Sequence, residues 1–219
     1  GGAGTYTITM TGTIRGWRFF WAGDPKKFLN ISQWGDWDFT TYGAFAGCDN
    51  MTCTATDIPA ITGTSMGYQF YGCDFNGLVA GWPMSAITDV NGMFTGCTNF
   101  NQPGVIGWDV SNCNSFSATF TNCSAFNQDI SGWNMSGVTL MNSMFRTATI
   151  FNQAIGVWNT AAVTNMNNTL RECPAFNQDI SAWDIAAVAD LGSFMMGTTL
   201  STVNYDALLI AWEAQTVVS

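Results

Sequence analysis

Apolar residues return along this chain at a fixed beat. Phe-Asn pairs stand at Phe75-Asn76, Phe100-Asn101, Phe126-Asn127, Phe151-Asn152 and Phe176-Asn177, in steps of 25, 26, 25 and 25 residues. Tryptophan keeps the same beat at Trp82, Trp108, Trp133, Trp158 and Trp183. A third column runs Phe45, Phe70, Phe94, Phe120, Phe145, Leu170 and Met195. Three columns in register define a repeat, and a unit this short cannot bury its apolar side without a neighbour stacked on it. The pattern predicts a solenoid of about seven ~25-residue coils between residues 40 and 200.

The clearest unit is Phe126-Asn-Gln-Asp-Ile-Ser-Gly-Trp133, followed by apolar Val138, Met141, Phe145 and Ala148. Steps of three and four predict a helical or 3-10 segment there, started by Ser136 or Thr139. Gln128 to Ser131 is long enough only for a small strand, which would stack on its neighbours as a narrow parallel sheet. Residues 5–14 alternate with period two and predict a strand, with Trp17, Phe19, Phe20 and Trp21 laid over the first coil. Residues 201–215 space Tyr205, Leu208, Leu209 and Trp212 as on an amphipathic helix covering the last coil. The expected organisation is an N-terminal β cap (1–27), the repeat solenoid (28–200) and a C-terminal helical cap (201–219).

The runs Phe126-Asn-Gln-Asp-Ile-Ser-Gly-Trp133 and Phe176-Asn-Gln-Asp-Ile-Ser-Ala-Trp183 resemble the repeat of BspA-like bacterial surface proteins, which also occurs in mycoplasma and listerial lipoproteins. Ile31-Ser-Gln-Trp-Gly-Asp36 and the tail from Leu200 to Trp212 look like the lead-in and ending of such arrays, and Gly4 to Met10 resembles the final strand of a PKD-like domain. The resemblance implies a leucine-rich-repeat-like solenoid, in an extracellular protein of a cell surface that recognises or adheres to a host protein or glycan. Related repeats occur in phage-encoded proteins, so the second reading is a virion part: a head fibre, tail fibre or decoration protein docking on other virion proteins. The family carries no catalytic residues to transfer. Pro103 and Trp82-Pro83 depart from its pattern.

Each column has a packing reading and a functional one. Cys48, Cys73, Cys97, Cys123 and Cys173 share a repeat position with Ala148 and Thr198, and Cys113 shares one with Val138, Val163 and Val188. Such company suits free buried thiols, although cysteines in adjacent coils would lie within disulfide range. Asn101, Asn127, Asn152 and Asn177, each beside a buried Phe, suit an internal amide ladder that satisfies turn backbone. The stripe Trp108, Trp133, Trp158 and Trp183 is either core or an exposed strip that stacks on sugars. Asp109, Asn134, Asn159 and Asp184 suit helix or turn caps. Gln102, Gln128, Gln153 and Gln178, with Asp129 and Asp179, are the candidate ligand-binding residues, on a strand surface facing solvent.

Composition narrows the chemistry. Hydrophobic residues make up 47% of the 219, enough for a real core, while charged residues are only 10%, so surface polarity falls to Asn, Ser, Thr and Gln. The net charge of −9 divides into +3 over residues 1–27, with Arg15, Arg18, Lys26 and Lys27 against Asp24, and −12 over the rest. That body does not suit nucleic acid or an anionic membrane, which need clustered Lys and Arg. No apolar run reaches the length of a membrane span, and no basic–apolar–small leader opens the chain. With no His, a nucleophile–His pair is impossible and a metal centre is not expected; Cys48 and Cys53 are the nearest thiols. The acids fall about one to a coil, so no paired-carboxylate site is expected either. No enzyme and no cofactor are expected, and the oligomeric state is left open.

Overall fold

The computed structural model describes residues 13, 15–19, 24–39 and 42–215. Successive segments of 24–26 residues lie over one another, but they do not meet as a sheet. Among the described residues two strands form, β1 (Asn30–Ile31) and β2 (Thr52–Cys53), paired in parallel with Asn30 opposite Thr52 and Ile31 opposite Cys53. Beyond them, neighbouring segments touch at single parallel bridges: Ser65–Asp89, Asp89–Ser115, Ser115–Leu140, Leu140–Asn165 and Asn165–Asp190. Short 3-10 turns stand at Pro25–Lys27, Met84–Ala86, Pro103–Gly107 and Ile155–Val157. The expected leucine-rich-repeat-like solenoid, with a strand and a helical segment in every coil, is therefore wrong.

The reason lies in the backbone. Over Val138–Ala148, where the spacing predicts a helix, the chain makes linked three-residue turns: Met144 N–H to Met141 C=O (3.0 Å), Arg146 to Ser143 (3.2 Å) and Ala148 to Phe145 (2.8 Å). The N–H groups between them leave the segment altogether. Met141, Ser143, Phe145 and Thr147 donate to the carbonyls of Asn165, Asn167, Thr169 and Arg171 in the next layer, at 2.8–3.0 Å. A helix would have kept those donors to itself. The alternation needs a left-handed residue twice per layer, at Ser143 (φ 58°) and Thr147 (φ 61°), and likewise at Ala118 and Asn122 and at Asn168 and Glu172. Each residue held there other than glycine or asparagine costs about 1–2 kcal/mol, offset by the interlayer hydrogen bonds and the packing beneath.

That packing is aromatic and continuous. Phe45, Phe70, Phe94, Phe120 and Phe145 stack ring on ring with centroids 5.7–5.9 Å apart. A second pile, Phe75, Phe100, Phe126, Phe151 and Phe176, runs beside it at 5.8–6.2 Å. The two piles touch within a layer, Phe120 meeting Phe126 at 4.0 Å. Every one of these rings is fully buried.

The two ends differ. At the first layer Phe19 donates its N–H to the Ala44 carbonyl (2.8 Å), and Trp17 packs against Trp37. The strand expected over residues 5–14 falls, except for Thr13, outside the described residues, as do Phe20 and Trp21. At the far end a helix, α1 (Thr202–Glu213), starts on Ser201, whose Oγ accepts the Asn204 N–H. The helix sets Leu208 into the core and Trp212 against Phe194. Its other apolar residues are not covered: Val203 is 75% exposed, Leu209 50% and Ile210 71%. The expected amphipathic cap is corrected to a helix apolar on both sides, covering only part of the last layer. Among the described residues no helix is long and apolar enough to cross a membrane.

Candidate recognition face

The residues singled out by the repeat come together, but they face one another. Each Asn Oδ1 accepts the backbone N–H of the Asn one layer on: Asn101 from Asn127 (3.0 Å), Asn127 from Asn152 (2.9 Å), and Asn152 from Asn177 (2.9 Å). The glutamines fold back onto the same ladder. Gln102 Nε2 donates to the Asn76 carbonyl and Oδ1, and Gln128, Gln153 and Gln178 do the same to Asn101, Asn127 and Asn152, at 2.7–3.2 Å. No strand carries these residues, and the four glutamines are half-buried. Asn127→Ala removes the acceptor for both Asn152 and Gln153 and should lower the unfolding free energy by about 1–3 kcal/mol. Asn127→Asp keeps both acceptors and should lose less; equal losses in urea titrations would show that the amide oxygen is not the reason.

Asp129 and Asp179 are exposed and accept the backbone N–H of Ser131 (3.0 Å) and Ser181 (2.9 Å). Hydrogen bonds from those serines hold both carboxyls below the usual carboxylate range. Asp109, Asn134, Asn159 and Asp184 make the same turn two residues on, to Ser111, Ser136, Ala161 and Ala186. The tryptophans are core, which removes the exposed-strip reading. Trp108, Trp133, Trp158 and Trp183 are at most 6% exposed, and each donates Nε1–H to a carbonyl of the preceding layer: Val79, Val105, Ile130 and Ile155, at 3.0–3.1 Å.

The seven cysteines are free thiols, and all but Cys53 are buried. Cys97, Cys113, Cys123 and Cys173 point Sγ at the carbonyls of Phe70, Ile87, Phe94 and Phe145, at 2.8–3.1 Å, and Cys73 points at Phe45. Burial raises these five thiols, Cys113 and Cys173 to about 12.

A second group of residues stands along the bridge ladder. The bridging residues are Ser65, Asp89, Ser115, Leu140, Asn165 and Asp190, and tyrosines stand at the ladder's beginning. Tyr42 lies over Gly67, where a Cβ would stand 2.6 Å from the Tyr42 ring. Tyr68 lies over Gly92 in the same way, at 3.0 Å. The two rings are 4.7 Å apart and Tyr71 stacks on Tyr68 at 5.4 Å, making an aromatic platform whose outer ring, Tyr42, is 42% exposed. Asp89 accompanies it, accepting from Ser65 Oγ (3.0 Å) and the Asn91 N–H (2.9 Å). Burial first, and then Tyr68, raises the Tyr42 phenol, with Asp89 adding to the effect. Repeat reading missed this group because the tyrosines occupy no column of their own. The signal was a Tyr followed one repeat later by Gly, at 42 and 67 and again at 68 and 92: a ring and the space it needs.

These ladders define a repeat protein whose layers are turns rather than strands. A family model described as "Mycoplasma protein of unknown function, DUF285" matches residues 64–160 and again 130–219. The chain belongs to that family, and the overlap of the two matches is what a repeating sequence allows. No curated protein and no solved structure matches the chain significantly.

Proposed function

We propose that this chain is a non-enzymatic extracellular recognition module that binds a glycan on the face where Tyr42, Tyr68 and Asp89 meet. The platform carries the reading. Tyrosine rings that fill the space over glycine offer an apolar surface to the C–H side of a sugar, with a phenol at the rim. Asp89 accepts hydrogen bonds, and Ser65 and Asn91 bring further polar groups to the same edge. Membership of a family that resembles bacterial surface repeats supports a place on a cell surface. The glutamine row supports it less, because its amide hydrogens are already taken up within the stack.

A glycan array with the 219-residue chain tests this. Bound sugars are expected, with affinity falling at least about tenfold in Tyr68→Ala and Tyr42→Ala, the ~1.4 kcal/mol or more of a hot-spot aromatic. Gln128→Ala with Gln153→Ala should leave binding unchanged. Sugar binding that ignores both tyrosines, or no sugar bound at all, would overturn the reading.

A further inference from the structure

The interlayer ladder stops at one end with its donors unused. In five successive layers, four alternate N–H groups reach the next layer, the last set being Met166, Asn168, Leu170 and Glu172 onto the carbonyls of Asp190, Gly192, Phe194 and Met196 at 2.7–2.9 Å. Their equivalents in the final layer are Leu191, Ser193, Met195 and Gly197. None of these four N–H groups has an acceptor among the described residues. α1 does not supply one, and just past its end Gln215 bonds the Ile185 N–H and the Trp183 carbonyl instead. A cleft of about 430 Å³ lies beside the row, lined by Met195, Thr198, Thr199, Leu200 and Tyr205. Exposed Val203, Leu209 and Ile210 on α1 and Met196 in the last layer give the same end an apolar surface.

We infer that this end is an interface for a second copy of the chain, seated head to tail. A β-strand edge alternates donors and acceptors, whereas this edge offers donors alone, so its partner must offer carbonyls alone. Two such ends cannot pair with each other, because N–H would face N–H. The matching edge is the first layer of the same chain. Carbonyls of Gly67, Gln69 and Tyr71 accept from the layer before them, and Tyr42, Ala44 and Ala46 hold the same places one layer earlier. Ala44 there accepts the Phe19 N–H, the donor that Met195 of a neighbouring copy would replace. Charge favours the same polarity only through exposed Arg18, because Arg15, Lys26 and Lys27 already pair with Asp38, Asp49 and Asp24; Asp206 and Glu213 are exposed toward the other end. It also disfavours an anion as occupant of the row. A heterologous contact of this kind repeats into rings or filaments.

Sedimentation of the 219-residue chain over a range of concentrations, with amide exchange followed by NMR, tests the proposal. The expected result is a mass that grows with concentration and shrinks with added salt. The amides of residues 191, 193, 195 and 197 should then exchange at least about tenfold more slowly in the associated state than in the monomer. Val203→Asp with Ile210→Asp, both on exposed positions, should hold the chain monomeric with an unchanged circular dichroism spectrum. A chain that stays monomeric throughout, or associates while those four amides still exchange fast, overturns the proposal. So does protection brought by polyphosphate without association, which would make the row an anion site.

Discussion

Phe120→Ala should lower the unfolding free energy by about 3–5 kcal/mol, the range for truncating a buried aromatic ring. Phe120 is fully buried and its ring meets five others: Phe94 and Phe145 above and below, Phe126 at 4.0 Å, and Phe100 and Trp133 at 6.3 Å. The cavity would open between layers that cannot collapse onto it, because interlayer hydrogen bonds at 2.9 Å from the Phe120 N–H and 3.0 Å to the Thr119 carbonyl fix their spacing. Phe176→Ala should cost less. Its ring is as deeply buried but stacks on only one aromatic, Phe151 at 6.2 Å, next to the end of the pile. Urea titration of both variants gives the comparison. A loss under about 1 kcal/mol at Phe120 would mean that the layers close over the gap and that the pile does not set their spacing.

The contrast between those two positions depends on a register that the sequence displays openly. Apolar columns 25 residues apart are legible because each member packs against the next, so the same side chain is required at each step. Asn and Gln columns are legible for the same reason. What they do was only half legible: the asparagine ladder follows from the rule that buried polar groups pair, but nothing in the order of residues says that the glutamine beside it turns back onto the asparagine of the preceding layer. Secondary structure was the least legible. Val138, Met141, Phe145 and Ala148 have a helix's spacing, yet linked turns with left-handed Ser143 and Thr147 produce the same inward stripe. Gly43, Gly47, Gly92 and Gly96 mark those left-handed places in the early layers. Later layers put Ala118, Thr147 and Glu172 there, residues that carry no sign of it, because the ladder rather than the local sequence holds them; Asn122 and Asn168 are the ones whose type favours the conformation. The tyrosine platform is legible only after the fact, as a pairing of large and absent side chains.

The largest expected effect is alkaline unfolding. Buried Cys73, Cys97, Cys113, Cys123 and Cys173 hold their protons more tightly in the fold than in the unfolded chain, because burial disfavours the thiolate. A thiol pKa raised in the folded state adds stability that is fully present below the unfolded pKa, about 8.5–9, and is lost as pH rises toward the folded value. For Cys113 and Cys173 that window runs from about 9 to about 12, on the order of 4 kcal/mol each at about 1.4 kcal/mol per unit. Five such thiols together give a slope approaching ~7 kcal/mol per pH unit above pH ~9. Against a typical total stability of about 5–15 kcal/mol, the fold should therefore be lost within one to two units of that point, near pH ~10–11. Circular dichroism from pH 7 upward in reducing buffer should show this cooperative transition, and a thiol reagent should begin to react only as it occurs. Cys113→Val should move the midpoint upward, since Val138, Val163 and Val188 fill the same buried place in later layers. A chain that stays folded through pH 12, or a midpoint indifferent to Cys113→Val, would show that the buried thiols ionise without cost to the fold.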